Sequence, residues 1–264
     1  MTRRFAIPPA LFQMGQLARR SILRTLRQPA QIVPALIFPL FLLAVNSNGL
    51  ADATHLPGFP SSSYLTFALA VPFMQGALFA SMNAGTDIAN DVESGFFNRL
   101  ALTPLRGVAL LAGMLGGAVA LGLVQGITFL VVGAVAGAGF AAGVSGALVI
   151  LALSLVMSLG FGSLGAFVAL RTGSGETVQG MFPLFFVFLF LSSMSLPRDL
   201  IQTDWFREIA TYNPVSYLIE GVRSLLVTGW DAQALGLGFA VAGGLVVVGL
   251  LAASLALRTR LVRT

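Results

Sequence analysis

The chain has 264 residues, of which 56% are hydrophobic and only 9% are charged. Since about 25% of the residues of an ordinary soluble domain are charged, this composition excludes a water-soluble fold. The net charge of +5 lies on no soluble basic face, so binding of nucleic acid is not expected. With no cysteine and a single histidine, His55, no disulfide, metal site or cofactor is expected on this chain.

The first predicted element is a cytoplasmic arm, residues 1–29, which carries six arginines. One helical face of the arm is apolar: Leu11, Met14, Leu17, Ile22 and Leu26. Arginines stand mostly on the opposite face: Arg19, Arg20, Arg24 and Arg27. This pattern predicts an amphipathic helix that lies in the membrane interface, the alternative being an anchor that only keeps positive charge inside. The arm lacks the short apolar core of a signal peptide, so removal of this segment is not expected.

Six uncharged apolar segments follow and predict an all-α, polytopic transmembrane domain over residues 30–257. The segments are 31–45, 64–82, 107–135, 145–170, 178–196 and 234–257. A hydrocarbon core about 30 Å thick needs roughly 20 helical residues to cross it. The first segment is short and contains two prolines, so we expect it to bend and to gain length from the residues before it.

The distribution of arginines predicts the orientation of these helices. All fifteen basic residues are arginines, and with six spans twelve of them lie on one side and three on the other. Positive charge near a span resists translocation, so we expect both the arm and the tail, residues 258–264, to face the cytoplasm. The protein is then a multi-pass protein of the plasma or inner membrane, in contact with membrane lipid.

The inner loop, residues 83–106, is the most polar loop predicted on the cytoplasmic side. Thr86 is placed to cap a short helix with acids near its positive end, and Gly95 is expected to break that helix. Two consecutive phenylalanines follow, which favours docking of a soluble partner over a merely solvated connector. The candidate residues for coupling this protein to that partner are Asp87, Asp91, Glu93, Gly95, Phe96, Phe97 and Arg99.

The outer segment, residues 197–233, is too polar to span but rich in the aromatic residues that favour a membrane interface. Pro214 follows Asn213 and fits the first position of a helix, which predicts a helix over 214–226. Glu220 and Arg223 stand three residues apart and are expected to pair on one face of it. This helix either dips back into the bilayer or lies on the surface as a passive cap.

Two absences in the sequence separate mechanisms. None of the six apolar cores contains Asp, Glu, Arg or His, whereas ion-coupled transporters and charged-filter channels place ionisable groups at membrane depth. The chain also has no lysine and therefore no Walker A motif. An enzyme is not expected either, because no nucleophile and base are paired at membrane depth. The energy for transport must then come from another subunit.

Two runs of sequence resemble the type 2 ABC exporter permeases, which include daunorubicin-resistance-like drug exporters. The run DIANDVESGFFNRLALTPLRG resembles their cytoplasmic coupling-helix loop, and YNPVSYLIEGVRSLL resembles their outer Asn-Pro motif before an acid and an arginine. Matching residues in the first run are Asp91, Glu93, Ser94, Gly95, Arg99 and Pro104, and in the second Asn213, Pro214, Glu220 and Arg223. With the arm and the six spans, the resemblance covers nearly the whole chain.

The resemblance implies a permease subunit that moves an apolar or amphipathic compound, such as a drug, a lipid or a lipid-linked glycan, out of the cytoplasm or the inner leaflet. It also implies that ATP binds to a separate cytoplasmic ATP-binding-cassette subunit, and that the permease pairs with a second copy or a paralogue. The outer helix is re-entrant in such permeases. An alternative of another class is a membrane scaffold or sensor subunit that transports nothing and needs no ATPase.

Overall fold

The structure, a computed structural model, describes residues 9–96 and 107–263. Within these two ranges every regular element is helical and no strand is present. The α-helices in chain order are α1 (Pro9–Leu26), α2 (Pro29–Gly49), α3 (Tyr64–Ala68), α4 (Ala70–Glu93), α5 (Gly107–Met114), α6 (Gly116–Val135), α7 (Gly143–Thr172), α8 (Gly175–Gly180), α9 (Phe182–Phe190), α10 (Asp204–Tyr212), α11 (Pro214–Val227) and α12 (Ala232–Arg263). The predicted all-α, polytopic fold is confirmed.

Five helices of the described ranges are long and apolar enough to cross a membrane. They are Pro29–Gly49, Tyr64–Glu93, Leu110–Val135, Gly143–Thr172 and Ala232–Arg260, which correspond to five of the six predicted segments. Two of these helices combine neighbouring elements, α3 with α4 and α5 with α6. The first, α2, begins at Pro29 and contains Pro34 and Pro39, so it gains its length from the preceding residues as expected.

The predicted segment 178–196 differs from the other five. Its helical part, Gly175–Phe190, consists of α8 and α9 and is shorter than the others. At about 1.5 Å per residue it reaches only about 24 Å, less than the hydrocarbon core. The chain leaves the helix at Leu191, and residues 191–197 continue without regular structure. The helix therefore ends about two turns before the apolar segment does.

The centre of the bundle is α4, which is buried along most of its length. It packs against α7, α6, α2 and α11, while α12 covers the other side of α7. One core cluster surrounds the α3 end of this long helix and contains Phe67, Phe73, Phe129, Leu153 and Leu218. A second cluster surrounds the α4 end and contains Ile88, Leu110, Leu115, Ala166 and Leu170. The long helix Tyr64–Glu93 therefore connects two sites at opposite ends of the bundle.

Apolar side chains also cover much of the outer surface of the bundle. On α2 and α12, for example, Ile37, Phe41, Val248 and Leu251 are more than half exposed. Exposed apolar faces of this extent are stable in lipid and not in water. The helices thus present to the surroundings the surface that a membrane protein requires.

Candidate functional site

The acidic part of the predicted inner loop belongs to α4. This helix continues without a break to Glu93, so Thr86 lies inside it and the predicted cap at Thr86 is wrong. The helix ends where Gly95 adopts a positive φ of 68°, a conformation that glycine accepts without strain. The expected break at Gly95 is confirmed. The polar end of α4 stays helical because Asp87 and Asp91 form ion pairs with residues of another helix.

Those partners are two arginines of α1. Arg20 donates from Nη1 and Nη2 to the two carboxylate oxygens of Asp91, at 2.9 and 2.8 Å. Arg24 donates from Nη1 to Asp91 Oδ1 at 2.9 Å, and its Nε lies 3.1 Å from Asp87 Oδ1. Each pair of like residues is four positions apart, which puts its members on one face of their helix. Four charged groups therefore join α1 to the end of α4, and we call them the inner charge cluster.

The inner charge cluster is largely shielded from solvent on its acidic side. The side chains of Asp91 and Asp87 are only 8% and 11% exposed, whereas that of Arg20 is 43% exposed. The hydrogen bonds from Arg20 to Asp91 raise the pKa of the arginine further above its ordinary value. Bidentate geometry of this kind is the strongest form of arginine–carboxylate contact. Both Arg20 and Arg24 therefore face α4.

Close packing brings α1 near enough for these contacts. Ser21 accepts a hydrogen bond from the backbone nitrogen of Gly117 at 3.0 Å and donates to the carbonyl of Met114 at 2.8 Å. A side chain at Gly113 would collide with Leu17 of α1. The amphipathic helix predicted in the arm is confirmed, but it packs on α5 and α6 as part of the bundle.

The last described residue before the gap in the inner loop is Phe96. The guanidinium of Arg20 lies over its ring, 4.1 Å from the centroid, a cation–π arrangement. Glu93, one turn earlier, is exposed. Phe97 and Arg99, two of the predicted coupling residues, lie outside the described residues. The role of all seven coupling candidates stays a prediction.

The second site lies at the start of α11. Asn213 caps the helix, since its Oδ1 accepts a hydrogen bond from Val215 N at 2.9 Å, and Pro214 occupies the first turn. The Asn213 amide also donates to the carbonyls of Phe188 and Leu191, at 2.6 and 2.9 Å. The predicted helix over 214–226 is confirmed as α11. Its Asn-Pro start is fastened to the end of α9.

Arg223 is buried in the middle of α11 with only 6% of its surface exposed. Its three nitrogens donate to three backbone carbonyls: Phe67 at 3.1 Å, Ser193 at 2.9 Å and Met194 at 3.0 Å. Its guanidinium carbon lies 3.6 Å from the centroid of the Phe67 ring. Arg223 therefore holds three segments together through hydrogen bonds to backbone carbonyls and through stacking on the Phe67 ring. None of these contacts involves a carboxylate.

This arrangement explains why the helix after α8 ends early. Residues 191–197 leave helical geometry, so their backbone carbonyls need partners from elsewhere in the fold. Irregular backbone beside a membrane core is tolerated only where such groups are satisfied within the protein. Arg223 supplies donors to two of these carbonyls, and the Tyr64 hydroxyl donates to that of Ser195 at 2.9 Å.

Glu220 pairs with Arg198, and the predicted pairing of Glu220 with Arg223 is wrong. Glu220 Oε1 accepts hydrogen bonds from Arg198 Nε and Ser193 Oγ, both at 2.8 Å, and Oε2 contacts Arg198 Nη2. Arg198 also lies over the ring of Tyr217, 4.5 Å from its centroid. The two charges of α11 are three residues apart but turn to different partners. Sequence spacing alone missed Arg198 and Ser193, because nothing local in the sequence marks either residue.

No group of three or more metal-ligating side chains occurs in the described part of the chain. His55 lies at the end of a short 3-10 helix, Ala51–His55, in the connection between α2 and α3, and is exposed. These two sites are thus built from charge pairs, carbonyls and aromatic rings. Such an arrangement fastens helices to one another.

Comparison with known proteins supplies the family. The sequence model described as ABC-2 type transporter matches residues 12–227. A daunorubicin resistance ABC transporter permease protein of Streptomyces coeruleorubidus, DrrB1, is 28% identical over 232 residues, which cover 83% of this chain and 77% of that protein. The transport permease ycf38 of Porphyra purpurea is 25% identical over 222 residues, which cover 83% of this chain and 76% of that protein.

A third relative comes from a different organism. The doxorubicin resistance ABC transporter permease protein DrrC of Mycobacterium tuberculosis is 22% identical over 211 residues, 80% of this chain and 75% of that protein. The family match begins inside α1 and ends at the last residue of α11, so it includes both sites. Since the match extends over most of its length, this chain belongs to the ABC-2 type transporter family and is a membrane permease subunit.

Proposed function

We propose that this permease exports an apolar or amphipathic compound, using ATP hydrolysed by a separate ATP-binding-cassette subunit. The observation that carries the proposal is the family match over residues 12–227 in a chain without a lysine and therefore without a Walker A loop. The permease would work with two ATPase subunits and with a second copy of itself or a paralogue. ATP binds to the partner, and this chain needs no cofactor of its own.

The inner charge cluster supports the end of α4 as the place where the ATPase is coupled to the permease. It fastens α1 to α4 at the point where α4 leads into residues 97–106, and Phe96 joins it through Arg20. Glu93 and Phe96 are then the groups best placed to meet the ATPase from the described side of that loop. Asp87 and Asp91 act indirectly, because they hold the end of α4 against α1.

The apolar character of the bundle supports the class of substrate. The core cluster around the α3 end of the long helix consists of apolar side chains, and Asp, Glu, Arg and His are absent from the six apolar segments of the sequence. Relatives named for daunorubicin and doxorubicin resistance support a drug-like compound over a polysaccharide. The arginine distribution supports cytoplasmic termini. The names of the drug-resistance relatives support a direction from the cytoplasm outward.

The test is reconstitution with an ATPase encoded beside this permease. The two proteins should co-purify through a tag on the permease, and inside-out vesicles should accumulate a lipophilic fluorescent drug only when ATP is present. An ATPase variant with its Walker A lysine replaced is the control and should abolish accumulation. Failure of every neighbouring ATPase to co-purify would contradict the proposal and would favour a scaffold or sensor subunit.

A further inference from the structure

A groove of about 570 Å³ opens between the end of α9 and the helix α10. Four residues of α10 line it: Trp205, Glu208, Ile209 and Tyr212. They stand at positions i, i+3, i+4 and i+7, so they form one continuous face of the helix. Phe188 and Leu191 of the α9 side form the opposite wall.

One member of that face departs from its pattern. Glu208 stands among apolar and aromatic residues on an exposed face of α10, whereas Ala210 on the other side of the helix is buried. This face is not packed against the bundle, since Trp205, Ile209 and Tyr212 are 61%, 41% and 79% exposed, so its carboxylate is open to a ligand. A carboxylate at this position suits an occupant that brings its own positive charge.

No arginine of the outer segment neutralises Glu208. Within residues 197–233, all of which the structure describes, Arg198 pairs with Glu220 and Arg207 contacts Asp204. The third arginine, Arg223, is buried among backbone carbonyls. Glu208 is therefore a carboxylate without an ion pair at the edge of an apolar groove.

The aromatic walls add a second preference for cations. Trp205 is 61% exposed and Tyr212 79% exposed, so both rings are accessible to a ligand. Aromatic faces attract ammonium groups through their quadrupole, and tryptophan does so most strongly. The volume falls within the range of about 300–1,000 Å³ that is usual for small-molecule sites.

We propose that this groove is an outer binding site for a lipophilic amine, with Glu208 holding the ammonium group and the aromatic walls holding the apolar body. The inference rests on the proposed export function, to which it adds a positively charged substrate class and a place where that substrate is held on the outer side. An acyl chain alone would not use the charge of Glu208.

Tryptophan fluorescence can test this directly. The chain has two tryptophans, and Trp230 does not line the groove. A Trp230→Phe background therefore leaves Trp205 as the one reporter. The purified permease in neutral maltoside micelles is titrated with a trimethylammonium amphiphile whose tail carries bromine, which quenches tryptophan on contact. A carboxylate amphiphile with the same tail is the matched probe.

The cationic probe should quench Trp205 to saturation, whereas the anionic probe should quench it only in proportion to its concentration. Glu208→Gln should weaken the apparent affinity for the cation roughly three- to tenfold. Asp199→Asn removes an exposed carboxylate of the same outer segment that does not line the groove, and it should leave the affinity unchanged.

Three results would overturn the inference. Equal saturation by both probes would mean that the groove accepts any tail, and an unchanged affinity in Glu208→Gln would remove the role of the carboxylate. Complete displacement of the amine by an equal mole fraction of phosphatidylethanolamine would assign the groove to a lipid headgroup. The assay contains neither ATP nor ATPase, so loss of vesicle transport with intact binding would count against the proposed function alone.

Discussion

Asp91 of α4 accepts two hydrogen bonds from Arg20 of α1, which lies 71 positions earlier in the sequence. A contact of such separation closes most of the amino-terminal half of the chain into a loop. It places the amphipathic arm and the acidic helix end in one unit, beside the residues that lead into segment 97–106. The properties of that unit are open to direct measurement.

The first prediction concerns the stability of the inner charge cluster. Arg24→Gln should destabilise the permease by roughly 2 kcal/mol, because it leaves two shielded carboxylates with one arginine between them. Arg20→Gln should cost less, since Arg20 is more exposed. Thermal unfolding in detergent gives the comparison. Arg19→Gln is the matched control on an exposed face of the same helix, and an equal loss there would contradict the assignment.

A second prediction separates coupling from stability at the end of α4. Glu93→Arg should weaken co-purification with the ATPase while the thermal transition of the permease stays unchanged, because Glu93 is exposed and has no ion pair within the described residues. Glu176→Arg makes the same charge change at an exposed residue of α8. If both variants lose the ATPase equally, then general charge on the inner side is responsible and the coupling role of Glu93 is wrong.

The third prediction concerns the partner of Glu220. A double-mutant cycle on the free energy of unfolding should give a larger interaction energy for Glu220→Gln with Arg198→Gln than for Glu220→Gln with Arg223→Gln. The reason is direct contact with Arg198 and separate partners for Arg223. A larger interaction with Arg223 would show that the two residues of α11 are paired after all.

Arg223 itself yields a fourth prediction. Arg223→Lys should recover little of the stability that Arg223→Gln loses, although it keeps the charge. A lysine ammonium cannot present three donors in a plane to Phe67, Ser193 and Met194 while stacking on an aromatic ring. Thermal unfolding of the two variants beside Arg198→Lys, where a single carboxylate is the main partner, provides the comparison. Full recovery by lysine would mean that only the charge matters.

The fifth prediction concerns orientation. The sequence has no cysteine, so single cysteines can be introduced without a prior deletion. Those at the exposed positions Asn90 and Thr172 should be protected from an impermeant thiol reagent in intact cells, because they lie on the arginine-rich side. Those at His55 and Thr203 should react. Labelling of Asn90→Cys from outside would reverse the assigned orientation.

Much of the fold could be predicted because its signals are local. Long apolar segments predict spans wherever a helix satisfies its own backbone, and the Asn213-Pro214 pair predicts the start of α11 from capping chemistry alone. Gly95 likewise predicts the end of α4. Each of these features depends on a few neighbouring residues and on the thickness of the bilayer.

The remaining features depend on residues far apart in the sequence. The sequence predicts a helix cap at Thr86 because it does not show that Arg24 pairs with Asp87 and lets the helix continue. It predicts a continuous segment 178–196 because it does not show that Arg223 donates to the carbonyls of Ser193 and Met194. Likewise, the spacing of Glu220 and Arg223 predicts that these two residues pair. The actual partner of Glu220 is Arg198, which is 22 positions away and therefore not visible from helical spacing. No pattern within one helix reveals such contacts.

The helical segment Tyr64–Glu93, 30 residues long, has a mechanical consequence. At about 1.5 Å per residue it is about 45 Å long, with the single residue Leu69 between α3 and α4. Its inner end is fixed to α1 through Asp91, and the carbonyl of Phe67 near its outer end is held by Arg223 of α11. We therefore expect a displacement of the inner end of α4 to be transmitted to the contacts of Arg223 through one helical segment, without a loop between them.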